Sequence, residues 1–196
     1  MALLFAFLAI LNAAGQVPPV VAVAEFSTVG TASAHLLRDL ESPSAQLVRI
    51  LVGHRIPGLR ILPVDQVHRV ARELGFRPEE LYIWTGRAAA VARAAGASWI
   101  VTGRWTHLDL DGLSLPAGDS RVPAVSLAHA ALQVRVVEAT TQRILLEETF
   151  AATRADGRGT AALVEAVEAV LLRAARRIAG LLASSTQFDG PGEGSL

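Results

Sequence analysis

Residues 87–106 (RAAAVARAAGASWIVTGRWT) constrain the fold more than any other stretch of the chain. The first half is alanine-rich and helical in composition. The second half, from Trp99, is rich in the β-branched and aromatic residues of a strand. Gly96 lies between the two. A helix that stops there needs a residue able to take positive φ, which glycine does without steric cost. The chain therefore passes from a helix straight into a buried strand, the repeating unit of an α/β sheet.

The flanking segments extend this pattern. Residues 20–26 (VVAVAEF) read as the first core strand, bounded by Pro19 and Ser27. Residues 34–40 and 44–52 are helical in pattern, with Pro43 suited to the first helical position and Ser42 to the N-cap. A short strand over 59–63 precedes a helix over 66–74 that Asp65 is expected to cap, with Val67, Val70 and Leu74 on one face. Residues 79–95 are helical, with a break near Thr85 and Gly86. Strands follow over 99–111, 125–138 and 143–153, the last two joined by a turn over 139–142. The final helix, 161–183, repeats Val164, Val167, Leu171, Ala174, Ile178 and Leu181 at helical spacing. Glu165 and Glu168 near its start and Arg173, Arg176 and Arg177 toward its end complement the macrodipole. The expected order is β-α-β-α-α-β-β-β-α, an α/β (α+β) fold with a mixed sheet packed by helices and no internal repeat.

Composition narrows the function classes. The 196 residues suit one domain, placed at 16–183, with a Gly/Ser-rich tail over 184–196 expected to be disordered. Eighteen acidic residues balance eighteen basic ones, all of them Arg, and no basic stripe stands out. Nucleic-acid binding has no electrostatic support. The sequence contains no cysteine, which removes disulfides, thiol catalysis, Cys-ligated zinc and a lipid carried on Cys. Residues 2–11 are an unbroken apolar run followed by small residues over 12–15. The run is shorter than the roughly 20 residues a membrane helix needs. It fits the apolar region of a secretory signal, although no Lys or Arg precedes it. Residues 1–15 are therefore expected to be a signal peptide or membrane anchor, with the protein in the periplasm or cell envelope. Retained as an anchor, they would associate it peripherally with the membrane.

The chain resembles the CsgG-like envelope family, which includes the curli secretion channel and the lipoprotein activators of peptidoglycan synthases. The TolB N-terminal domain is similar in fold. The resemblance covers about residues 20–183. It is carried by the strand Val21-Ala-Val-Ala-Glu-Phe26 with a polar turn at Gly30, the short strand over 59–62 with its following helix, and the helix into Gly96-Ala97. It continues through Trp99-Ile-Val-Thr-Gly103, the hairpin turn Val137-Glu-Ala-Thr-Thr141 and the closing amphipathic helix. These are diffuse core patterns, more specific for fold than for function. Two departures matter. The lipoprotein members need a cysteine that this sequence lacks. A membrane hairpin like the channel's would have to come from residues 105–115 and 122–132, where Pro116 and Pro123 interrupt it. That region reads instead as a solvent-facing hairpin beyond the sheet.

Candidate chemistry is sparse. His107, Asp109 and Asp111 share one strand face and are the only metal candidates. Neighbours on a strand face sit nearly 7 Å apart, a poor geometry for convergent ligation, so a polar outward face is the expectation. No Gly-x-Ser-x-Gly elbow or phosphate-binding loop is present. His35, His54, His68 and His129 are scattered, and Gly157-Arg-Gly159-Thr160 reads as a loop and cap. The adjacent Glu147 and Glu148 face opposite sides of their strand and cannot form a catalytic pair. Trp99 is expected in the core. Tyr82 and Trp84 lie in a less regular helical stretch and are the candidate partner anchors. No catalytic residue and no cofactor are expected. The resemblance implies a non-enzymatic envelope assembly or scaffolding module that binds other envelope proteins or itself. A soluble accessory or subunit of an outer-membrane secretion complex, and a metal- or small-ligand-binding periplasmic protein, are the alternatives.

Overall fold

β1 (Val20–Val23) is buried on both faces, and its alternation sorts the rest of the fold. Val21 and Val23 enter one hydrophobic core, while Val20, Ala22 and the following Ala24 enter a second. A strand covered on both sides reads as a continuous apolar run, which is why VVAVA was legible as core. The computed structural model describes residues 18–28, 41–113, 125–156 and 159–187. The predicted signal or anchor over 1–15 and the helix over 34–40 lie outside them.

After β1 come α1 (Pro43–Gly53), β2 (Arg60–Ile61), α2 (Val64–Glu73), α3 (Pro78–Ile83) and α4 (Thr85–Ala94). Three long strands follow, β3 (Trp99–Leu113), β4 (Val125–Glu138) and β5 (Ile144–Asp156), and then α5 (Gly159–Gln187). The sheet order is β2-β1-β3-β4-β5. β1 pairs in parallel with β2 and β3, whereas β3, β4 and β5 pair antiparallel. The mixed α/β architecture expected from sequence is therefore the observed one. The β1-to-β2 crossover places α1 on one face, where Leu47 and Leu51 join the core built by α5. The β2-to-β3 crossover places α2, α3 and α4 on the other, through Val67, Ala71, Leu81, Ala88, Ala89, Val91 and Ala92.

Gly96 stops α4 as anticipated. Its φ is +72°, the Gly96 N–H donates to Arg93 O (3.0 Å) and the Ala97 N–H to Ala92 O (2.8 Å). This is the paired hydrogen bonding of a Schellman cap, and Gly75 ends α2 in the same way. Pro43 occupies the start of α1 with Ser42 before it.

The break expected near Thr85 and Gly86 falls at the adjacent Trp84, which is extended (φ −109°, ψ 101°) and separates α3 from α4. Three expectations change. Asp65 lies in the first turn of α2 rather than at its cap, which is Pro63. α5 continues to Gln187, so the first residues of the expected tail are helical. The outer parts of β3 and β4 do not form a free hairpin. β5 pairs alongside as far as Ser126 opposite Asp156, and Leu108, Ala128 and Ala130 are buried in the core that includes Ala162, Leu163 and Ala166 of α5. Among the described residues no helix is long and apolar enough to cross a membrane.

Candidate protein-interaction site

Two residues before the break at Trp84, Tyr82 is held inside the fold. Tyr82 is buried, with 4% of its surface exposed, and the guanidinium groups of Arg104 and Arg135 lie 5.0 and 4.5 Å from its ring centroid. Its hydroxyl donates to Gln133 Oε1 (3.2 Å), which also accepts from Arg104 (2.8 Å). Arg135 donates to the Tyr82 carbonyl (2.6 Å) and to Glu147 (2.8 Å). Cation–π contacts of this kind contribute about 0.5–2 kcal/mol each, so Tyr82 rivets α3 onto β3 and β4. The expectation that Tyr82 anchors a partner is therefore corrected: the ring is consumed inside the fold. The sequence does not disclose this, because Arg104 and Arg135 are distant from Tyr82 in the chain.

Burial raises the Tyr82 phenol above its ordinary 10.0, with Glu147 adding to that direction and the two arginines opposing it. A folded-state pKa above the unfolded one means that this contribution to stability is complete below 10.0 and is lost as pH rises through the folded value. The chain has one tyrosine, so its near-ultraviolet titration is unambiguous. The midpoint is expected above 10.0 in the native protein and at the ordinary value in denaturant. Tyr82→Phe should remove this group's share of the alkaline loss of stability.

Trp84, the other candidate anchor, lies at the surface. It is 58% exposed and the preceding Ile83 is 52% exposed. Both stand on the knuckle between two short helices whose inner faces are fixed, Leu81 and Tyr82 on one side and Ala88 and Ala89 on the other. The Arg77 N–H donates to Glu80 (2.9 Å) and Arg87 pairs with Glu80, which tie the start of α3 to α4. The backbone hydrogen bond at Arg77, the largest cause, and then the Arg87 pairing hold the Glu80 carboxyl below its usual value. A Cβ at Gly86 would stand 3.4 Å from Gln142 Oε1, so the knuckle abuts the β4–β5 turn, next to the exposed Ile144.

Beyond Tyr82 the same sheet face carries no described element. Register places Arg104 opposite Gln133, His107 opposite Ala131, Asp109 opposite His129 and Asp111 opposite Leu127. β5 continues the face with Glu147, Thr149, Ala151 and Thr153, all exposed. His107, Asp109 and Asp111 thus share one face as expected. Among the described residues, no three or more His, Cys, Asp or Glu are grouped so as to hold a metal ion. His129 is instead bonded to Thr153 (2.9 Å). Glu147 and Glu148 diverge, one to Arg135 and the other to Arg177 (3.1 Å).

Two cavities lie away from this face. An open cleft of about 740 Å³ is lined by Pro18, Pro57, Arg93, Trp99 and Glu138 among others. It lies at the start of β1 and β3, opposite the carboxyl ends of parallel strands where α/β folds bind ligands. Its charged groups are engaged, Arg93 with the Ala139 carbonyl and Glu138 with Thr141 and Arg143. A second cavity, at the carboxyl end of β1 beside the Glu25–His68 pair (2.8 Å), has a volume of only about 210 Å³. That is below the ~300 Å³ at which ordinary small-molecule pockets begin.

No protein-family model matches the chain, and no curated protein matches it. Solved structures do. The lipoprotein GNA1162 of Neisseria meningitidis superposes with a TM-score of 0.52 at 11% identity, over 81% of this chain and 99% of its own. The hypothetical protein CT253 of Chlamydia trachomatis gives 0.49 at 13% identity, over 85% and 98%. The LpoB C-terminal domain of Salmonella enterica gives 0.41 at 18% identity, over 74% and 90%. At this level of identity the likeness to GNA1162 establishes a shared fold.

Proposed function

We propose that the chain is an exported bacterial envelope protein that works without catalysis, as an assembly or scaffolding module binding other envelope proteins. The observation that carries this reading is the Ile83–Trp84 knuckle: two large apolar side chains more than half exposed on a rigid, riveted base. A pre-organised Trp beside a polar rim is the usual chemistry of an interface hot spot. The fold shared with a Neisseria protein named a lipoprotein supports an envelope setting, as does the apolar run over residues 2–11. The curli-channel side of the resemblance rests on sequence alone.

The test is retention of envelope proteins on the immobilised chain. The double variant Ile83→Ser, Trp84→Ser is expected to weaken retention at least about 30-fold, the factor set by a hot-spot loss of ~2 kcal/mol. Its stability should stay within about 0.5 kcal/mol of the wild type, since both side chains face solvent. Unchanged retention by the double variant would remove the basis of the reading. Whether the chain serves a secretion complex or wall synthesis is then read from the identity of the retained protein.

A further inference from the structure

We infer that the open face of β3, β4 and β5 is a two-fold contact surface for a second copy of this chain. The face is electrically bipolar. Near α3 it carries Arg104 and Arg135 against the single carboxylate of Glu147, and at the far end Asp109 and Asp111. Arg104 bonds only the neutral Gln133 and stacks on Tyr82. Among the described residues neither it nor Asp109 nor Asp111 has an ion-pair partner. Within one copy the two ends cannot satisfy each other. At ~3.4 Å per strand residue they lie about 15 Å apart, beyond the ~10 Å Debye length at 0.1 M salt.

A second copy laid over the face with strands reversed brings Arg104 of each copy over the acidic end of the other. Two-fold symmetry makes every such contact occur twice. Between the charged ends the face presents the exposed His107 beside the short side chains of Ala131, Thr149 and Ala151. The β5 edge of the sheet is the competing route, and two of its carbonyls are capped. Arg173 donates to the Ala151 carbonyl (2.6 Å) and Arg154 to the Thr153 carbonyl (2.9 Å), which blunts strand addition along β5. A contact held mainly by these charge pairs makes the dimer weak, with a dissociation constant on the order of tens of micromolar or above.

This inference deepens the proposed function by naming one partner, and rests on it for the claim that the molecule acts through its surfaces. The test is sedimentation of the full chain in a non-ionic detergent, at low and high salt. The wild type should dimerise and lose the dimer as salt rises. Arg104→Glu alone and Asp109→Arg alone should each raise the dissociation constant at least about tenfold, because like charges then face each other twice. An equal mixture of the two variants should dimerise like the wild type, since opposite charges face each other at both contacts of the mixed pair. Asp109→Arg lies away from Tyr82 and keeps the test open if Arg104→Glu fails to fold. A monomer at all concentrations would overturn the inference. So would a larger ring, a dimer indifferent to Asp109→Arg, or a mixture of folded variants that stays monomeric. Retention of envelope proteins is measured separately, so a missing dimer with intact retention sinks this inference and leaves the proposed function standing.

Discussion

Trp105→Ala is expected to destabilise the protein by about 3–5 kcal/mol, the range for emptying the space of a fully buried aromatic. Trp105 is 1% exposed and sits in the core shared by β1, β3, β4, β5, α1 and α5. It also immediately precedes the irregularity in β3, where the register shifts between Trp105 and His107. Losing the ring removes packing at the point where the outer strands take up their new register. Trp105→Phe should cost much less than alanine. Among the described residues the buried indole N–H has no partner, so phenylalanine loses some area but also removes an unsatisfied donor. Chemical denaturation of the three proteins checks both the size and the order.

Gly103→Ala comes second, at about 1–3 kcal/mol, through overpacking. A Cβ at Gly103 would stand 2.7 Å from Phe26 Cδ1, 3.0 Å from Cε1 and 3.1 Å from Cγ. Phe26 has little room to yield. It is 6% exposed, and its backbone N–H donates to the buried Ser44 hydroxyl (2.9 Å), which holds the segment after β1 against α1. Glycine is needed here for close approach, not for its dihedral freedom. Phe26→Leu combined with Gly103→Ala should therefore lose less than the sum of the two single changes. Strict additivity would show that the contact is not the cause.

The two glycines mark what the sequence could and could not disclose. Gly96 was readable because a helical pattern ended on it and a strand pattern began within a few residues, a local signal. Gly103 was not, because its constraint comes from Phe26, in the segment that follows β1 and is distant in the chain. The same division holds for the site. Trp84 was singled out from its irregular surroundings, and the break in the helical pattern falls on it. Tyr82 drew attention for the same reason but is buried by arginines contributed from β3 and β4. The alternation of Leu108 and Leu110 with Asp109 and Asp111 showed a two-faced strand. Which face is covered depends on the reach of α5, which the period of that helix alone does not fix. His107, Asp109 and Asp111 do share a face, and what the structure adds is the acidic end of a bipolar surface.

Under the proposed function the rigid parts of the molecule serve to present surfaces. The stack of Arg104, Tyr82 and Arg135 locks α3 to the sheet, and the lock leaves Ile83 and Trp84 exposed at the knuckle. The measurement that tests this most directly is photo-crosslinking in intact cells, with a photoreactive amino acid placed at position 84 and, as a control, at position 172 on the exposed side of α5. The account predicts a discrete crosslinked envelope protein from position 84 and none from position 172. Equal products from both positions, or none from position 84, would contradict it.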